Sequence, residues 1–164
     1  MILRPTLMLG VILISSAALA LNVVKNGYSF TLPTKWTAND SPSGGDPFYK
    51  SPDGKAIFSV RVTDYPGVNR FDAASQKKYL DEYEAGLKSS MPNAVMVSRK
   101  NGTLGGWPSV ETVFRFDPKG APNYQTVVAK NGKLFTLSFS NPLNTAPPNP
   151  AAFAAIKGSF KFTP

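Results

Sequence analysis

Three stretches of this chain alternate apolar and polar residues with a period of two, and that period governs what it can fold into. In AIFSVRVTDY (56–65), Phe58, Val60 and Val62 fall on one face and Ser59, Arg61 and Thr63 on the other. In SVETVFRFD (109–117), Val110, Phe114 and Phe116 oppose Glu111, Val113 and Arg115. In NYQTVVAKNGKLFTLSFS (123–140), Asn131-Gly132 divides two such runs, with Phe135, Leu137 and Phe139 on the core face. Side chains of a strand point alternately to opposite faces, so these runs predict antiparallel strands covered on one side. Asn-Gly also occurs at 26–27 and 101–102, and each pair predicts a tight hairpin turn.

One segment breaks the period. In FDAASQKKYLDEYEAGLKSSMP (71–92), Leu80, Tyr83, Leu87 and Met91 recur at helical spacing, Asp72 or Ser75 can cap, and Pro92 stops the helix. A second, Ala-rich helix is predicted from Pro150 to Lys157, opened by its proline. TANDSPSGGDP (37–47) and NPLNTAPPNP (141–150) read as loops, neither long enough to separate two domains. Strands dominate, yet the long helix needs a sheet face on which to bury its stripe. The expected class is α+β, an antiparallel sheet flanked by helices.

Composition narrows the chemistry. The chain has 164 residues, 42% hydrophobic and 17% charged, which suits one globular domain. It contains no cysteine and no histidine, so it has no disulfide, no thiolate nucleophile, no Ser-His-Asp arrangement and no cysteine- or histidine-ligated metal. Formal charge is +8, which favours an acidic partner or surface. The basic residues are scattered and no base-stacking motif accompanies them, so nucleic acid is not an expected partner.

The leader is read from MILRPTLMLGVILISSAALA. Arg4, an apolar run from Leu7 to Ile14 and Ala18-Leu19-Ala20 match a secretory signal cleaved after Ala20; an uncleaved anchor is the alternative. Residues 1–20 are assigned to this leader and 21–164 to a single domain outside the cytoplasm: periplasmic, secreted or in a thylakoid lumen.

Few motifs carry chemistry. GTLGGWP (102–108) reads as a connecting turn beside which Trp107 plugs a core edge. Asp40, Asp46 and Asp53 lack the spacing of a calcium loop and read as turn residues, Asp53 most clearly in SPDGK. Asn101-Gly102-Thr103 fits a glycosylation acceptor but reads as a turn. Glu111 is mid-strand without an acidic partner, so no catalytic residue, metal ligand or cofactor is assigned.

The order of these features resembles the PsbP-like and DcrB-like domains of the Mog/PsbP superfamily. GYSFTLPTKW (27–36) resembles their opening strand, ending in Pro and then Trp, and FYKSPDGKAIFSVRVTDY (48–65) their second hairpin. Residues 71–116 resemble their central helix, strand, glycine turn and strand; VVAKNGKLFTLSFSNP (127–142) and FAAIKGSFKF (153–162) resemble the last hairpin and closing helix. The resemblance implies an antiparallel sheet sandwiched between helices, and a binding or assembly protein of a thylakoid lumen or bacterial envelope without catalytic residues. It supplies no partner, since members share a fold and diverge in what they bind. The lipid-attachment cysteine of many bacterial relatives is missing. The expected function is therefore an exported, non-catalytic, monomeric module that docks on an acidic protein or membrane-associated complex, with a small-ligand carrier as the alternative. The expected docking patch is Lys50, Lys55, Lys77, Lys78 and Lys88.

Overall fold

The computed structural model describes residues 20–25, 27–40, 47–141 and 147–164. The leader predicted at residues 1–20 lies, apart from Ala20, outside them, as does Asp46. No described helix is long and apolar enough to cross a membrane.

Strands β1 (Leu21–Lys25), β2 (Tyr28–Leu32), β3 (Thr37–Asn39), β4 (Phe48–Lys50) and β5 (Ile57–Asp64) come first, followed by helix α1 (Ala73–Ser90). Then come β6 (Val95–Leu104), β7 (Trp107–Arg115), β8 (Asn123–Lys130), β9 (Lys133–Ser140), helix α2 (Pro150–Ser159) and β10 (Lys161–Phe162). The strands form two antiparallel sheets where one was expected. The larger has seven strands in the order β3-β4-β5-β9-β8-β7-β6, and the smaller has three, β1-β2-β10. With two residues, β10 is too short to show a period, and its pairing with β2 completes the second sheet.

The large sheet is the middle layer. On one face Val110, Val127, Ala129 and Leu134 pack beneath Phe71 and Leu80. On the other, Phe58, Val60, Val128, Phe135, Leu137 and Phe139 meet Tyr28, Phe30 and Leu32 of the small sheet and Phe153, Ile156 and Phe160 around α2. Strands β8 and β9 are thus buried on both faces. Aromatic rings dominate this second face: Phe30 stands edge-on to Phe58 at 5.1 Å, and Phe139 stacks on Phe153 at 5.2 Å. After β2, a turn closed by the Trp36 amide donating to the Pro33 carbonyl folds Trp36 back to stack on Phe139 at 6.1 Å.

The predicted helix starts at a reciprocal cap. Asp72 accepts the Ser75 amide, and the Ser75 hydroxyl accepts the Asp72 amide, so both candidate caps contribute. Leu80 and Leu87 face the sheet, whereas Met91 lies just past the helix and is exposed. Pro150 occupies the first turn of α2 behind Asn149, whose side chain accepts the Ala151 amide.

Three expectations need correction. Asn101-Gly102 is not a turn but lies within β6, paired with Val110 and Ser109, while Gly105 and Gly106, at φ +56° and +81°, make the hairpin turn. Gly102 is required for close approach: a Cβ there would lie 2.8 Å from a Glu111 carboxylate oxygen. Thr37–Asn39, read as loop, pairs with Phe48–Lys50 as the outermost strand. Phe116, read on a core face, follows the end of β7 and is 45% exposed. Strand β6, at the opposite edge, is broken by a bulge between Met96 and Ser98.

Hydrogen bonds hold several carboxyls below their ordinary range: from Ser75 to Asp72, from Lys77 and Arg99 to Asp81, from Lys88 to Glu84 and from Ser51 to Asp53. Burial pushes the Tyr79 hydroxyl up to about 12 and raises that of Tyr83 as well. A depressed carboxyl contributes stability above its unfolded value and loses it as pH falls; a raised phenol contributes below its unfolded value and loses it as pH rises. Without histidine, stability measured by urea unfolding should be flat between about pH 5 and 9 and decline below about pH 4. It should decline again as pH rises from about 10 to 12, and Tyr79→Phe should weaken that alkaline loss. Gly86 sits exposed inside α1 with open space where a Cβ would go, so Gly86→Ala should stabilise by about 1 kcal/mol in the same assay.

Candidate functional site: a cationic mouth between the two sheets

The five lysines expected to form one patch fall in two places. Lys77, Lys78 and Lys88 lie along α1, each paired with an acid one turn away: Lys77 with Asp81 at 2.5 Å, Lys78 with Glu82 at 3.8 Å, and Lys88 with Glu84 at 2.8 Å. Arg99 on β6 bridges Asp81 and Glu84 at 2.7 and 3.3 Å. The helix face is therefore close to electrically balanced, and its exposed pairs contribute little to stability. Lys50 lies on β4, and Lys55 follows the Pro52-Asp53-Gly54 turn in which Asp53 accepts the Ser51 hydroxyl and the Lys55 amide. Three strands, β5, β9 and β8, separate β4 from β7, over which α1 packs.

Unbalanced positive charge collects elsewhere. The β8–β9 hairpin closes through Asn131 and Gly132 at φ +52° and +73°, and that two-residue turn sets Lys130 directly opposite Lys133. Arg70 bridges to Lys130 on one side, and Asp64 pairs across from Lys133 on the other. The row reads Arg70, Lys130, Lys133, Asp64. Like charges directly opposite on neighbouring strands repel. Two contacts offset this. Lys133 donates to Asp64 at 2.9 Å, while the cations of Arg70 and Lys130 lie 5.2 and 5.6 Å from the centre of the Trp107 ring. The Lys130 ammonium is also 5.1 Å from the Phe162 ring centre.

The side chains of Lys130 and Lys133 point to the face shared with Val128 and Phe135, toward the small sheet. Between the sheets a cleft of about 520 Å³ opens, lined by Lys25, Tyr28, Lys130, Asn131, Lys133 and Phe135 among others. Three lysines line it, and Asp64 is 84% exposed, so its screening by solvent is strong. Such a mouth attracts carboxylates, phosphates or sulfates by charge and leaves the tyrosine and phenylalanine beneath for an apolar neighbour. The sequence signal for it is Lys-Asn-Gly-Lys (130–133), because a two-residue turn forces its flanking residues to face each other.

The other candidates take structural roles. Trp107 packs at the core edge, as its turn suggested, and serves as the platform for the two cations. Among the described residues no cluster of three or more acids converges. Glu111 pairs with Lys157 at 2.5 Å and with Lys100 at 3.5 Å, in an arrangement of one acid between two bases.

An anion that binds the folded state alone raises the melting temperature by mass action. Sulfate should raise that of the wild type by about 3 °C more than that of Lys25→Gln/Lys130→Gln/Lys133→Gln, measured by calorimetry against equal ionic strength of chloride.

No family model matches the chain, and no curated protein does so by sequence. Solved structures do. Cyanobacterial PsbP (CyanoP) from Synechocystis superimposes with a TM-score of 0.66 at 16% identity, over 91% of this chain and 95% of that one. LpqN, described as involved in cell envelope biogenesis of Mycobacterium tuberculosis, gives 0.54 at 15% identity, over 89% and 91%. A protein from Bacteroides thetaiotaomicron gives 0.57 at 13% identity over 87% of this chain, which spans only 48% of that longer one. Identities this low speak to architecture alone, and on that ground the chain has the PsbP-like fold.

Proposed function

We propose that this protein is an exported, non-catalytic binding module that docks through its cationic mouth on an acidic face of a membrane-associated envelope or thylakoid complex. The observation that carries this reading is that Lys25, Lys130 and Lys133 line one cleft, with Arg70 beside Lys130 in the same row and Asp64 as the counter-charge in it. The turn fixes where Lys130 and Lys133 stand, but burying Val128 and Phe135 does not call for positive charge there. A partner carboxylate supplies the missing negative charge.

The chemistry of the remaining residues supports binding over turnover. The chain holds neither histidine nor cysteine, and its mid-strand Glu111 is occupied by two lysines. LpqN's described involvement in envelope biogenesis supports an envelope setting for a chain of the same fold. The leader supports export.

Docking of this kind is steered by charge, so its association rate falls as salt rises. The test is cross-linked capture from the protein's own membrane fraction, using wild type and Lys25→Gln/Lys130→Gln/Lys133→Gln side by side, followed by surface plasmon resonance with the partner found. The expected result is one stoichiometric complex captured by wild type alone, with an association rate that drops about tenfold between roughly 50 and 300 mM salt. Equal capture by both proteins, or a rate indifferent to salt, refutes the electrostatic docking.

A further inference from the structure

A second cavity lies beside α2 and shares no lining residue with the cationic mouth. It has a volume of about 330 Å³, between α2 and the floor formed by β6, β7 and β8, and its lining includes Ser98, Lys100, Glu111, Thr126, Phe153 and Lys157. Its polar groups are unusually assembled. Glu111 fits where Gly102, on the neighbouring strand, leaves room for its carboxylate, since any Cβ there would lie 2.8 Å from Oε1. That carboxylate accepts from Lys157 at 2.5 Å and stands 3.5 Å from Lys100. Thr126, directly across the sheet from Glu111, is completely buried and forms part of the floor.

Donors exceed acceptors here. Two ammonium groups, with six N–H donors between them, and the Ser98 hydroxyl lie around a single carboxylate. The net charge of Lys100, Lys157 and Glu111 is +2 − 1 = +1. The Phe153 ring forms an apolar wall, and the Lys157 ammonium stands 5.5 Å from its centre. A group that completes this set must accept hydrogen bonds, carry one negative charge and offer an apolar body.

We propose that the cavity beneath α2 binds a small free monocarboxylate with an apolar body. Its carboxylate bridges Lys100 and Lys157, while its hydrocarbon portion lies against the Phe153 side of the cavity. Glu111 acts as a positioning residue that holds the two ammonium groups together. This site is separate from the cationic mouth and does not depend on docking there.

The test is calorimetric and NMR titration of the purified protein with hexanoate and benzoate, and with the neutral hexanamide and benzamide as controls. The carboxylates should saturate below about 10 mM and bind about tenfold more tightly than their amides. Shift changes should centre on Lys100, Phe153 and Lys157. Lys157→Met and Lys100→Met should each weaken binding about tenfold. The Lys100 side chain is 69% exposed on β6, so Lys100→Met keeps the fold and decides the matter even where Lys157→Met unfolds. The proposal is overturned if no saturable binding occurs, if amides match carboxylates, or if folded Lys100→Met binds like wild type.

Discussion

The Asn131-Gly132 turn determines the register of the two strands on which everything else is built. Strands β8 and β9 are buried on both faces, with Val128, Phe135, Leu137 and Phe139 turned to the small sheet and α2, and Val127, Ala129 and Leu134 turned to α1. A slip of one residue would exchange these two sets and present each covering layer with the other's partners. Positive φ at both turn residues excludes that slip, because the turn accepts only a two-residue connection with the twist of its strands. The same register that seals the core also aligns Lys130 with Lys133. Packing therefore sets the position of these two side chains, while their charge can be changed without altering the register.

The two candidate regions share a construction. One opens between the sheets and the other beside α2. In both, cations project from strand ends or a helix flank onto an aromatic wall, Trp107 and Phe162 in one and Phe153 in the other. Such walls are poor hydrogen-bond partners, so the ring's negative face attracts a cation without taking up its N–H donors.

Much of this architecture is legible in the sequence. The alternation in 123–140 coincides with β8, the turn and β9, and the stripe of Leu80 and Leu87 coincides with α1. Other features are hidden for identifiable reasons. Asn101-Gly102 has the composition of a turn, but two glycines only three residues later accept positive φ at no cost and win the reversal. Strand β10 is too short to declare itself and depends on β2 for its pairing. The lysines of α1 are conspicuous in sequence, but helical spacing couples each to an acid, so charge along a chain is not charge on a surface. The cationic row is obscured because Arg70, Lys130 and Asp64 come from distant stretches of the chain and meet only through strand order.

Strand β6 is the longest edge among the described strands, ten residues with one side unpaired in the sheet, and it bears Arg99, Lys100 and the bulge after Met96. Two copies approaching edge to edge would meet that break in the ladder before a continuous pairing could form. The same edge that exposes the most backbone is thus a poor seed for cross-β growth.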